Sequence, residues 1–223
     1  MKIVKRLTIV TGVIAASSSL SGFASAADDT YGAMTGTSSL PYYLELRLGG
    51  PIPREYDFSG AFTGSYDPDS DFFIAGGVGK YFAPNIRGDL MISYGRGSDG
   101  VAYAPGPVPH TGSISATSIL ANGYYLFNDV LPGVTPFVGA GAGVTIFNYD
   151  NLGGGTFFND SASAATVAGH VGFDYALTDM VDLTGRYSLT WTDSHSISNP
   201  LVLNAGSHTN NIFTVGLRIK LNQ

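Results

Sequence analysis

The chain has 223 residues, a formal charge of −6 and 44% hydrophobic residues, the composition of a folded chain rather than a disordered one. With 11 Lys and Arg against 17 Asp and Glu it lacks the clustered positive charge that phosphate neutralisation needs, so no nucleic-acid partner is expected. It has no cysteine, which removes disulfides, Cys–zinc sites, thiol nucleophiles and iron–sulfur ligation together, and its 30 glycines follow no collagen period.

Residues 1–26 read as a secretory signal peptide. Lys2, Lys5 and Arg6 form the positive start, Leu7 to Ala16 the apolar run, and Ala24-Ser25-Ala26 the small-x-small cleavage site. The apolar run is shorter than the ~20 residues of a spanning helix. No cysteine follows, so a lipoprotein anchor is not expected. Removing this segment takes away three basic residues and moves the formal charge from −6 to −9. Residues 27–40 are small and polar and read as a flexible periplasmic leader, and residues 41–223 as one domain.

From Tyr42 onward the apolar residues alternate, with turn residues between the runs. Eight strands are predicted: about Tyr42–Gly49, Phe72–Phe82, Ile86–Gly95, Ser113–Phe127, Val134–Phe147, Ala164–Leu177, Val181–Trp191 and Ile212–Leu221. In the first, Leu44, Leu46 and Leu48 oppose Glu45 and Arg47. In the third, Leu90 and Ile92 oppose Arg87 and Asp89. In the last, Val215, Leu217 and Ile219 oppose Arg218 and Lys220. The second and fourth strands carry apolar residues on both parities, so their faces stay open.

The connections alternate in length. Gly50–Asp71, Arg96–Gly112, Asn148–Ser163 and Thr192–Asn211 are long, whereas Ala83-Pro84-Asn85, Asn128–Gly133 and Thr178-Asp179-Met180 are short. An up-and-down barrel with both chain ends on one side produces that alternation, and a Greek-key sandwich does not. Period alone leaves open whether the apolar face points in or out. Glycines 139, 141, 143, 172 and 216 share the charged face, as a crowded interior requires, and Tyr42, Tyr94, Tyr175, Tyr187 and Trp191 sit near strand ends on the apolar face. Both points favour an eight-stranded antiparallel up-and-down transmembrane β-barrel with its apolar face in lipid.

Four stretches carry a family resemblance: Gly76-Gly77-Val78-Gly79-Lys80-Tyr81-Phe82 with Ala83-Pro84-Asn85-Ile86-Arg87-Gly88-Asp89-Leu90, Thr135 to Val144 (TPFVGAGAGV), Leu177-Thr178-Asp179-Met180-Val181-Asp182-Leu183, and Gly216-Leu217-Arg218-Ile219-Lys220-Leu221. Each is weak alone, but in this order and spacing the chain resembles the small Gram-negative outer-membrane β-barrel proteins of the porin-like, opacity-like and OmpA-type group. The resemblance implies a location in the cell outer membrane, contact with outer-membrane lipid, and passage through the barrel-insertion machinery. It also implies a final aromatic residue, where this chain has Leu221 followed by Asn222 and Gln223, a departure that bears on insertion efficiency rather than on fold.

Four constellations are candidates for chemistry. The inward charges Glu45, Arg47, Arg87, Asp89, His170, Asp174, Asp182, Arg186, Arg218 and Lys220 form a lumen charge network, either a salt-bridged plug or the lining of a narrow pore. Glu55, Asp57, Asp67, Asp69 and Asp71 make the first long loop acidic, but Phe72 and Val78 stand where a calcium loop needs Gly and Glu, so a solvated surface loop is the simpler reading and a divalent contact that bridges lipid phosphates the alternative. Asp193, His195, Ser196 and Ser198 hold the residue types of a hydrolase, and His110, His195 and His208 those of a metal site, all in loops without preorganised geometry; exposed polar residues are the simpler reading, and no catalytic residue or cofactor is expected. Tyr56, Phe58, Phe62, Tyr66, Tyr103, Tyr149, Phe157 and Phe158 are either buried at loop bases or a contact surface for a host, a neighbouring protein or a small apolar ligand. The role expected is structural and surface-exposed, acting through four long extracellular loops; the alternatives are a narrow porin-like pore for small solutes and, further off, a lipid-modifying barrel enzyme.

Overall fold

The structure, a computed structural model, describes residues 41–52, 56–60, 64–103, 107–152, 158–197 and 203–221. The segments read from the sequence as signal peptide and leader, residues 1–26 and 27–40, lie outside the described residues. Every regular element among those described is a strand: β1 (Tyr42–Ile52), β2 (Tyr56–Gly60), β3 (Gly64–Ala83), β4 (Ile86–Tyr103), β5 (Pro107–Leu126), β6 (Val134–Leu152), β7 (Phe158–Ala176), β8 (Val181–Thr192), β9 (His195–Ile197), β10 (Leu203–Ala205) and β11 (His208–Leu221).

Eight of these close a barrel. Each pairs antiparallel with its neighbour in the order β1, β3, β4, β5, β6, β7, β8, β11, and β11 returns to β1 with Tyr42 opposite Leu221. Closure removes the sheet edge, which lipid would not tolerate. The short turns fall where the turn residues predict them. Thr178 Oγ1 accepts from the Met180 and Val181 amides at 3.2 and 3.0 Å, and Asn128 Nδ2 donates to the Pro84 carbonyl at 2.8 Å. In the β5–β6 connection Asp129 and Gly133 take positive φ, and Gly133 adopts it without a Cβ penalty.

At the opposite end the structure departs from the expected loops. β3 has 20 residues, β5 20, and β6 and β7 19 each, well beyond the ~9–11 residues that cross a membrane. Much of what the sequence marks as long loop is therefore strand. The hydrophobic alternation stops where lipid stops, but the backbone ladder continues because neighbouring chains still offer partners. β8 and β11 are shorter, with 12 and 14 residues. Over that shorter side of the wall lies a small flap: β2 pairs with β3 and with β10, and β10 with β9. The Asp193 amide then bonds the Ala165 carbonyl of β7 at 2.9 Å.

The faces separate by parity. Leu44, Leu46, Leu48, Val167, Val171, Val215 and Leu217 are exposed, and the charged residues between them are buried. Exposed aromatics lie in two girdles, Tyr42, Tyr125, Phe127, Phe173 and Tyr175 toward the short-turn end and Phe72, Trp191 and Phe213 toward the other. An apolar belt between aromatic girdles is the surface of a barrel that sits in lipid. The open faces are settled too: Ala75, Leu120, Tyr124 and Leu126 point inward, and Phe72, Ile74, Val78 and Tyr125 outward.

Candidate functional site: the lumen

All ten residues expected to form the lumen charge network point into the barrel. Nine are buried, and the Lys220 side chain is 22% accessible near the short-turn end. Strand alternation puts them there, because each shares parity with residues that would be untenable in lipid. Glu45 pairs with Arg47 on its own strand and with Arg218 Nε across β1–β11 at 3.0 Å. Arg218 Nη1 also reaches Asp174 at 2.7 Å and Asp182 at 3.7 Å. Arg87 closes on Asp174, and Lys220 Nζ lies 2.9 Å from Asp182. Three acids and four cations thus form one connected layer.

Aromatic rings complete that layer. Arg87 lies 4.9 Å from the Tyr124 ring and 4.7 Å from the Phe137 ring, and Arg218 lies 5.1 Å from the Tyr43 ring. Arg47, Arg87, Arg218 and Tyr43 are all 0% accessible.

Asp89 stands apart from the ion pairs. It accepts from Asn122 Nδ2 at 2.6 Å, Tyr43 at 3.3 Å and Tyr124 at 3.4 Å. A carboxylate accepts only, so the Asn122 amide must turn its NH2 toward Asp89 and its oxygen toward His170. His170 Nε2 then donates to Asn122 Oδ1 at 3.1 Å, and Nδ1 accepts from Ser188 Oγ at 2.9 Å. One neutral imidazole satisfies the whole chain. Arg186 donates to the Tyr124 hydroxyl.

Above this layer the lumen holds a cavity of about 150 Å³. Its floor includes Asn122, His170 and Arg186, and its mouth includes Phe147, Tyr149, His195 and Ala205. One wall is apolar, with Ala75, Met91, Ala116 and Leu120. The other is a chain of hydroxyls across four strands: Ser118 to Thr145 at 2.8 Å, Thr145 to Thr166 at 2.7 Å and Thr166 to Thr192 at 3.2 Å.

The hydrolase residues expected in the fourth loop do not assemble. His195 faces inward, bonds the Tyr149 hydroxyl at 2.5 Å and stacks on Phe147 at 4.6 Å, while the next residue, Ser196, is exposed and donates to Asn204 Oδ1 at 2.7 Å. Consecutive strand residues point to opposite sides, which separates base from nucleophile. Ser198 lies outside the described residues, as do the His110 side chain and Glu55. Asp67, Asp69 and Asp71 lie in β3 rather than in a turn. Of the loop aromatics, Tyr149 is buried beneath His195, and the side chains of Tyr56, Phe58, Tyr66, Tyr103 and Phe158, with Phe62 and Phe157 entire, lie outside the described residues.

Tyr43, Asn122, Tyr124 and Ser188 belong to the lumen network and were not anticipated. Their parity was the available signal: each shares a face with a buried charge, Tyr43 with Glu45 and Ser188 with Arg186.

A family model described as an outer membrane protein beta-barrel domain matches residues 13–220. Among solved structures, Neisserial surface protein A is 17% identical, with a TM-score of 0.56 over 81% of this chain and 97% of its own. The outer membrane protein OprG from Pseudomonas aeruginosa is 14% identical, with a TM-score of 0.59 over 84% of this chain and 99% of its own. AlkL, an outer membrane protein solved in lipid bilayers, is 13% identical, with a TM-score of 0.56 over 85% and 93%. At these identities the likeness is one of fold. No curated protein sequence matches the chain.

Proposed function

This chain belongs to the outer membrane protein β-barrel domain family, and we propose that within the outer membrane it is a closed, non-enzymatic barrel with a structural and surface role. The observation that carries the reading is the layer of Arg47, Arg87, Arg218 and Tyr43, each wholly inaccessible, between one end of the lumen and the other. A conducting eight-stranded barrel would need a water column where these side chains are packed. The Ser188–His170–Asn122 chain has the order of an acyl-transfer relay. The strand amides beside it are engaged in the β7–β8 and β5–β6 ladders, however, and so are not available to hold an oxyanion.

On this reading the short-turn end faces the periplasm and the extended β3–β7 wall with its flap faces outward. Lipid contacts the apolar belt, the barrel-insertion machinery acts during biogenesis, and a surface or host partner is met at the flap end. Liposome swelling tests the closed barrel. Vesicles carrying the protein should swell in small sugars no faster than empty vesicles, and size-dependent swelling would establish the narrow pore instead.

A further inference from the structure

Among the described residues, Arg186 is the one cation of the lumen charge network with no carboxylate within ion-pair distance. Arg47, Arg87, Arg218 and Lys220 each have an ion-pair partner, and Arg186, 8% accessible, has the Tyr124 hydroxyl and a ring contact 5.9 Å away. Its Nε has no hydrogen-bond partner. A buried guanidinium without a countercharge is expensive, and this one lines the cavity floor. The ten network residues carry five permanent cations against four carboxylates, a net charge of +1 among them.

The rest of the lining is mixed, and Arg96, an exposed residue, borders the cavity with His208 and Asn210. The Ser118–Thr145–Thr166–Thr192 hydroxyls satisfy one another, and the facing wall is Ala75, Met91, Ala116 and Leu120. A volume of about 150 Å³ is that of cavities that hold one benzene-sized guest. Phe147 and Tyr149 at the mouth add aromatic surface.

We infer that this cavity binds a small organic anion: one carboxylate on an apolar body of about benzene size, with Arg186 as its countercharge. The carboxylate would sit at the floor and the body between the Leu120 wall and Phe147. The inference rests on the closed-barrel reading only in that the charge layer makes the cavity blind.

The test is calorimetry on the protein purified from membranes in detergent, titrated with benzoate, and with benzyl alcohol as a neutral near-isostere, each against protein-free micelles. Benzoate should bind saturably at one site, about 10- to 100-fold more tightly than benzyl alcohol, the range of a charge-assisted hydrogen bond. Arg186→Gln should remove that advantage and Arg186→Lys retain part of it. Leu120→Trp, which fills the cavity without touching the ion pairs, should abolish binding of both compounds even if Arg186→Gln proves unfoldable. Benzoate binding that is absent, no tighter than benzyl alcohol, or unchanged in Leu120→Trp overturns the inference. Liposome swelling on the same preparation separates the two readings: swelling with benzoate binding intact contradicts the closed barrel alone, and silent vesicles with no benzoate binding contradict the anion site alone.

Discussion

Arg218 bonds Glu45, Asp174 and Asp182 from one guanidinium, so three carboxylates from three other strands depend on it. Replacing it with methionine keeps most of the volume and leaves those carboxylates short of a partner away from water. The expected cost is about 3–5 kcal/mol, read as a lower urea midpoint for unfolding of the detergent-solubilised barrel. Gly139 works by absence: a Cβ there would strike the Tyr124 ring and lie 2.8 Å from the Gly123 carbonyl. Gly139→Ala should therefore destabilise by about 1–3 kcal/mol through overpacking. Gly123→Ala, where a Cβ meets nothing within 4 Å on the outer face, should be near neutral in the same assay. Equal effects of the two alanines would show that the lumen does not pack as described.

In the flap, β9 is held by a titratable contact. His195 docks it against Tyr149 and Phe147, and burial pushes the His195 pKa below its ordinary value. The undocked imidazole keeps a value of about 6.5, so as pH falls through that point the undocked form takes up the proton first. Docking is thus fully supported above about pH 6.5 and weakens below it. Hydrogen exchange at residues 195–197 and 203–205 should speed up between pH 8 and pH 5, and His195→Phe should flatten that dependence. The same elements show how far the sequence could be read. β1, β8 and β11 were placed within a few residues, because lipid on one side and paired charge on the other force strict alternation. The far ends of β3 to β7 look like loop in the sequence, since Tyr66-Asp67-Pro68 and Gly100-Val101 carry no apolar period. Above the membrane a strand needs only a neighbouring backbone, and pairing across the sheet is a tertiary fact. Within the lumen the charged residues were legible by parity. Asn122, Ser188 and the threonine chain were not, because a neutral polar residue opposite an apolar one looks the same whether it bonds across the lumen or merely faces inward. That Arg186 ends without a carboxylate follows from stagger between strands, which alternation does not encode.

For the whole molecule the division is between a sealed lower lumen and a hollow upper one. Ion pairs from β1, β4, β7, β8 and β11 meet in one layer, and the cavity lies between that layer and the flap. The low charged fraction of 13% follows from this plan: the outer face excludes charge, and the interior has room for few charges, most of them paired. The central claim is that the layer closes the barrel, and single-channel recording of the purified protein in planar bilayers tests it most directly. The account predicts membranes that stay at baseline conductance across the voltage range in which the bilayer itself is stable. Reproducible, long-lived conductance steps from the unmodified protein would contradict it.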